Sequence, residues 1–281
     1  MRETNLNNAL LVGLVVLAVL LGGIKSGTPD NEVINAKSEA TSVVASVRET
    51  TQESFAPAPF VSATAYLVKD IFAVEPIWEK NTSRKWPIAS ITKLMTAIIT
   101  LEVFDLQERV VMSREAIATE GVAGFFETGK SYTVEELLNA LLKYSSNDAG
   151  EALAERYGKE KFLWAMNAKA QAIGMHDTNL NDPTGLSVLN QSTIVDLEKL
   201  VLYIFNRYPE IFLITRQTGS NIHPFAGHVN FLGGKTGFID EANGNLISLF
   251  NRGGRPILII VLGSDDRAKD TQILYDSVTS G

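Results

Sequence analysis

Three apolar runs close the chain: "HVNFLGGKTGF" (228–238), "GNLISLFN" (244–251) and "RPILIIVLGS" (255–264). Each has strand composition, and Asn243-Gly244 and Gly253-Gly254 read as hairpin signals between them. About 160 residues upstream, "SATAYLVKD" (62–70) has the same character, with "EPIWEK" (75–80) as its hairpin partner. Strands divided between two ends of a chain bury their faces together only if the ends meet. This pattern predicts one α/β sheet closed by both ends, with a helical insert between them.

The insert reads as helix. Residues 133–144, "TVEELLNALLKY", place Val134, Leu137, Leu138, Leu141 and Leu142 on one face, and Thr133 with Glu136 forms a capping-box pattern. Further helices fit 90–103, 147–156, 160–173, 193–207 and 266–278, and no internal repeat is present.

The N-terminal part differs. Residues 9–24, "ALLVGLVVLAVLLGGI", carry no charge. As a helix they span ~24 Å, short of the ~30 Å hydrocarbon core. A short membrane anchor and the apolar part of a signal peptide both fit, and the lack of a small-x-small cleavage site favours an uncleaved anchor. Residues 25–59 are polar, rich in Ser, Thr and Glu, and end on Ala-Pro-Ala-Pro, the composition of a flexible linker. The expected organisation is therefore 1–24 anchor or signal segment, 25–59 linker, and 60–281 folded catalytic domain.

Several function classes are excluded. The net charge is −7 and no basic cluster stands out, so nucleic acid is not an expected partner. With no cysteine, thiolate catalysis and Cys-built zinc sites are impossible. A zinc peptidase would need His-Glu-x-x-His, which is absent, and no cofactor is expected. Gly234-Lys235-Thr236 is not a P-loop, because position 229 is valine where that motif has glycine. There is no Gly-x-Ser-x-Gly elbow either. His176 and His228 read as surface residues, and His223 as a candidate residue of the cleft mouth.

One stretch carries chemistry. In "PIASITKLMTA" (87–97), Ser90 and Lys93 lie one turn apart if a helix starts at Ser90. The plain reading is a cap and a solvated lysine. The alternative is a nucleophile and its base, which needs the lysine to be buried or beside another cation. Ser-x-x-Lys is expected about once by chance in a chain this long. Ser145-Ser146-Asn147 directly after the 133–144 helix, and Lys235-Thr236-Gly237 in a strand, complete an ordered triple that chance does not readily supply. This triple is the signature of penicillin-binding proteins and serine β-lactamases.

The chain resembles the D-alanyl-D-alanine carboxypeptidases, low-molecular-mass penicillin-binding proteins. "WPIASITKLMTA" is similar to the family's nucleophile helix, "YTVEELLNALLKYSSNDAGEALAE" to its second motif, and "GGKTGFIDEANGNL" to its third. "GMHDTNLNDPTGLS" (174–187) is similar to a segment that usually has Phe where Leu180 stands. The resemblance covers roughly 60–280. Many members continue into a β-rich domain and a C-terminal amphipathic helix; this chain is expected to end with its catalytic domain and to be held by its N-terminal segment. The implied fold is β-lactamase/DD-peptidase-like: an antiparallel sheet of about five strands, helices on both faces, and a helical subdomain. The implied partners are peptidoglycan stem peptides and, as covalent inhibitors, β-lactams. The implied roles are Ser90 as nucleophile, Lys93 as base, Ser145 as proton relay and Asn147 as ligand of the substrate amide. Lys235 would attract the substrate carboxylate and depress the pKa of Lys93, with Thr236 on the carboxylate and Gly237 letting substrate lie along the strand. The backbone N–H groups of Ser90 and Phe238 would form the oxyanion hole. A β-lactamase and a non-catalytic penicillin sensor remain open. Asp177-Thr-Asn-Leu-Asn181 has the spacing of a β-lactamase deacylation loop, with Asp177 read instead as a turn or cap residue. Phe125-Phe126 reads as loop packing or as an apolar wall of the cleft.

Overall fold

The computed structural model describes residues 58–121 and 124–279. The expected anchor (9–24) and the linker up to residue 57 lie outside them.

Two short antiparallel pairs stand apart from the main sheet: β3 (Trp86–Pro87) with β6 (Gln191–Ser192), and β4 (Arg109–Val111) with β5 (Ser131–Thr133). The main sheet joins β1 (Ala65–Asp70), β2 (Trp78–Lys80), β7 (Phe231–Ile239), β8 (Asn243–Arg252) and β9 (Arg255–Ser264). Its order is β2-β1-β9-β8-β7 and every pairing is antiparallel. β1 lies against β9, from Ala65 opposite Leu262 to Asp70 opposite Ile257. The two ends of the chain thus meet, as the distribution of apolar runs requires.

β9 has almost no polar residue because both of its faces are covered. Ile257, Ile259 and Val261 pack with Tyr66, Val68 and the C-terminal helix α8 (Arg267–Thr279) through Leu274, Tyr275 and Val278. Leu258, Ile260 and Leu262 face the larger core, with Leu67, Ile91, Leu94 and Ile98. In that core α1 (Lys93–Val103) is buried from Lys93 through Thr100, packed against α3 (Val134–Lys143) and α5 (Lys159–Ala172). The rest of the helical part is α2 (Arg114–Ile117), α4 (Asn147–Tyr157), α6 (Ile194–Arg207) and α7 (Pro209–Thr215). The Thr133–Glu136 capping box forms at the start of α3: Thr133 Oγ1 accepts from the Glu136 N–H, and Glu136 accepts from the Thr133 N–H. Such a cap contributes about 1 kcal/mol.

Two readings of the sequence change. Gly253-Gly254 is the turn between β8 and β9, with φ of 58° and 88°. Asn243-Gly244 is not a turn; it begins β8, paired with Ile239 and Phe238, and the turn is 240–242. Asn243 has φ 54°, the left-handed residue that closes a three-residue hairpin loop, and asparagine tolerates that conformation better than most side chains. Ser90 does not begin an α-helix. It lies in a 3-10 turn, Ala89–Thr92, and α1 starts at Lys93.

A buried carboxylate fastens the entry of the domain. Asp270 of α8 accepts from the N–H groups of Ser62 (3.1 Å) and Ala63 (2.9 Å) and from the hydroxyls of Ser62 (2.7 Å) and Ser264 (2.6 Å).

Candidate active site

The 3-10 turn that carries Ser90 is held from several sides. Ala89 has φ 49°, a strained value for a residue with a Cβ. The Ile88 N–H donates to the carbonyl of Asn190 (2.9 Å), and Asn245 of β8 donates its side-chain amide to the carbonyl of Pro87 (2.9 Å). Two glycines let neighbouring backbone close in. A Cβ at Gly237 would stand 2.7 Å from the Ile88 carbonyl, and one at Gly185 only 2.0 Å from the Ala89 carbonyl. Gly237 is therefore required by the Ser90 turn itself, whatever lies along the strand.

Lys93 is fully buried beneath that turn. Its Nζ donates to Ser90 Oγ (2.9 Å), Asn147 Oδ1 (2.6 Å) and the carbonyl of Thr184 (2.5 Å). Asn147 opens α4, whose cap is Ser146, and donates Nδ2 to the carbonyl of Glu120 (2.6 Å). Asn147 thus brackets Lys93 against the 120–121 segment. Ser145, between α3 and α4, has φ 60°, a second strained position. Its Oγ accepts from Lys235 Nζ (2.9 Å), which also donates to the carbonyl of Thr236 (3.0 Å). Lys235 is 1% exposed and lies on β7, an edge strand of the sheet. Arg267, the first residue of α8, donates Nη1 to the carbonyl of Gly237 (2.5 Å).

Burial sets the electrostatics. It lowers the Lys93 ammonium from its ordinary 10.5 to about 7, against a pull upward from the Asp182 carboxylate. The expected pressure of the second cation shows on Lys235 instead. Burial first, then Lys93, then Arg267 hold Lys235 well below its ordinary value.

Three separated motifs therefore converge on two hydrogen-bonded pairs, Ser90–Lys93 and Ser145–Lys235. A family model described as D-alanyl-D-alanine carboxypeptidase matches residues 51–266. The chain belongs to the D-alanyl-D-alanine carboxypeptidase family. It is 32% identical over 217 residues to a D-alanyl-D-alanine endopeptidase of Pseudomonas aeruginosa, covering 70% of this chain and 69% of that protein. The crystal structure of a D-alanyl-D-alanine carboxypeptidase from Mycobacterium tuberculosis superposes with a TM-score of 0.74 at 25% identity, over 82% of this chain and 95% of that one. Penicillin-binding protein D2 of Listeria monocytogenes, solved with ampicillin bound, gives 0.68 at 30% identity, over 79% and 99%. As a member of this family the chain is a serine-type hydrolase with the DD-peptidase fold.

Three groups of this DD-peptidase's site escape sequence reasoning. Arg267 is one, and the Glu120 carbonyl is another. The third is Asp182. Its Oδ1 accepts from the Thr184 N–H (2.7 Å), the Thr184 hydroxyl (2.7 Å) and the Gly185 N–H (2.6 Å), and its Oδ2 accepts from the Ser187 N–H (2.7 Å). The carboxylate folds the loop that presents the Thr184 carbonyl to Lys93. Asp182 is the charged group that acts on Lys93, from this loop. Asp182→Asn keeps the Oδ1 acceptor and removes the charge, so Lys93 should hold its proton less tightly. The acidic limb of the kcat/KM–pH profile is expected to move to lower pH; an unmoved limb would exclude Lys93 as the group that titrates there.

Other expected residues stand elsewhere. His223 does not line the cleft mouth. It is buried, stacked on Phe231 with ring centroids 4.4 Å apart, and its Nε2 lies 3.0 Å from the Ile247 carbonyl. Burial lowers it to about 3, so it is neutral and acts as a strut under β7. Asp177 is exposed and pairs with Lys85 at 3.1 Å. Phe126 packs edge-on against Tyr132 at 4.7 Å, which is loop packing, while Phe125 is 94% exposed. Phe238 is exposed on β7, beside the site. His176 and His228 are at the surface.

Proposed function

We propose that this chain hydrolyses the peptide bond that follows D-alanine in peptidoglycan stem peptides, as a D-Ala-D-Ala carboxypeptidase or DD-endopeptidase, through an acyl-enzyme on Ser90. The observation that carries this reading is Lys93: fully buried, 2.9 Å from Ser90 Oγ and lowered to about 7, so that at neutral pH much of it is an amine able to take the serine proton.

Ser90 Oγ attacks the D-Ala carbonyl and gives its proton to Lys93. The oxyanion rests on the backbone N–H groups of Ser90 and Phe238. As the C–N bond breaks, Ser145 relays to the leaving nitrogen the proton that Lys93 took from Ser90, supported by the Lys235 ammonium 2.9 Å away. Lys235, Thr236 and Arg267 hold the carboxylate of the leaving residue. The stem peptide adds along the edge of β7, and the remaining amide hydrogen of Asn147 is offered to a substrate amide. Water then releases the acyl group. β-Lactams would acylate the same serine, a reading supported by the ampicillin-bound Listeria relative.

The substrate class supports a domain that works outside the cytoplasm, held by residues 9–24 and spaced by 25–59, or secreted if the N-terminal segment is removed. Among the described residues no helix is long and apolar enough to cross a membrane. One experiment tests activity and placement together. The full chain and a chain starting at Phe60 are labelled with fluorescent penicillin and fractionated. Both should label at Ser90 and release D-Ala-containing products from muropeptides, with the full chain in the membrane fraction and the short one soluble. The label should persist for minutes or longer. Loss of label within seconds would favour a β-lactamase, and labelling without peptide hydrolysis would favour a sensor.

A further inference from the structure

Asn190 stands where two parts of the site meet. It directly precedes β6, and the pairing of Gln191 with Pro87 of β3 sets it against the turn that carries Ser90. Its main chain spans both parts: the carbonyl accepts from Ile88, and the N–H donates to the carbonyl of Ser187 (3.0 Å). Its side chain, fully buried, does the same. Nδ2 donates to Thr92 Oγ1 (3.0 Å) and to the carbonyl of Asp182 (3.0 Å), while Oδ1 accepts from the N–H groups of Asn181 (2.7 Å) and Asp182 (3.1 Å). A second buried side chain grips the same loop from α1. Thr96, one turn beyond Lys93, donates its hydroxyl to the carbonyl of Pro183 (2.5 Å). Both side chains are closed off from solvent, so neither touches substrate.

The loop so held presents the Thr184 carbonyl to Lys93, and the place of that carbonyl decides where a proton can go. An ammonium has three N–H donors, and Lys93 has three acceptors: Ser90 Oγ, Asn147 Oδ1 and the Thr184 carbonyl. As a neutral amine it keeps two N–H groups and one lone pair. With the N–H groups bound to Asn147 and Thr184, the lone pair points at Ser90. If the Thr184 carbonyl withdraws, the amine turns freely and its lone pair leaves the serine hydroxyl.

We propose, on the reading above that Lys93 takes the serine proton, that Asn190 and Thr96 are positioning residues for acylation: they hold the 181–187 loop so that the Thr184 carbonyl aims the Lys93 lone pair at Ser90. A displacement of ~1 Å in such an arrangement costs up to about 10²-fold in rate. The same loop closes over Lys93. Burial outweighs the Asp182 carboxylate, the charged group that acts on this lysine from the loop; on β7, Lys235 is the cation on which Lys93 acts. A loosened loop admits water to Lys93, relieves the burial and moves its pKa upward.

The test follows acylation of the full chain by fluorescent penicillin as a function of pH, with steady-state kinetics on a pentapeptide ending in D-Ala-D-Ala. Asn190→Ala removes four side-chain bonds and should slow acylation by about 10²-fold. Thr96→Val keeps the shape of the residue and removes only its hydroxyl; it should slow acylation about tenfold, the equivalent of one hydrogen bond, and keeps the test available if the first variant does not fold. Thr96→Ser restores the hydroxyl and should return most of the rate. On the peptide the losses should fall on kcat and leave KM near the wild-type value, because substrate meets neither side chain. In both slowed variants the acidic limb should move to higher pH by about one unit, opposite in sign to Asp182→Asn. Folded variants acylated at the wild-type rate with an unmoved limb would overturn the positioning role, and so would a Thr96→Ser variant as slow as Thr96→Val. A wild-type chain that takes no label at all would overturn the acyl-enzyme reading beneath it.

Discussion

Ser90→Ala is expected to reduce both penicillin labelling and stem-peptide hydrolysis to background, a loss on the order of 10⁶ in kcat if this serine is the nucleophile. The substitution is structurally mild. Ser90 Oγ accepts a bond from Lys93, whose Nζ keeps Asn147 Oδ1 and the Thr184 carbonyl when the hydroxyl is gone. The turn itself is held by backbone and by Asn245, not by the serine side chain. The variant should therefore fold, and intact-protein mass spectrometry after incubation with penicillin should show no added mass. Retained hydrolysis would remove the basis for every role assigned here.

Lys93→Met should follow closely. Methionine matches the length of the lysine stem and suits a fully enclosed position, so packing is largely kept while the base is removed. General-base catalysis accounts for about 10²–10⁴ in rate, and acylation by penicillin should slow by that factor. Stopped-flow labelling measures it directly. The comparison with Ser90→Ala is informative: a residual slow label is expected in the lysine variant and none in the serine variant. A lysine variant acylated at the wild-type rate would assign the base elsewhere.

Much of the molecule can be read from the chain because its strongest signals are local. The five strands, the capping box at Thr133 and the three motifs all depend on residues a few positions apart. What cannot be read is what the tertiary structure brings together. Arg267 stands at the Gly237 carbonyl only because β9 delivers the start of α8 next to β7's end of the sheet, and no spacing rule links residue 267 to residue 237. The Glu120 and Thr184 carbonyls are backbone atoms, so no residue type announces them. Asp182 sits in a quoted stretch, but "DPTG" reads as a turn, and its effect on Lys93 appears only once the loop meets α1. Asn243-Gly244 shows the opposite failure. The residue preference for a left-handed position was real, while the turn it usually marks lay one step away. His223, a candidate for the cleft mouth by sequence, belongs to the core, where it stacks on Phe231.

The burial of Lys93 also has a consequence for folding. An unfolded chain carries this lysine charged up to its ordinary value near 10.5, whereas the native state lets the proton go at about 7. Below pH 7 the fold must hold a charge that its surroundings disfavour, at a cost of roughly 5 kcal/mol at about 1.4 kcal/mol per pH unit. Between those two values the unfolded chain binds more protons than the native one, so stability rises with pH, and above 10.5 the cost is gone. Lys235 is shifted in the same direction and adds to the trend. In a domain whose net stability is on the order of 5–15 kcal/mol, such a cost is a substantial share. The enclosure that makes Lys93 a base at neutral pH is thus also what leaves the native state least secure in acid.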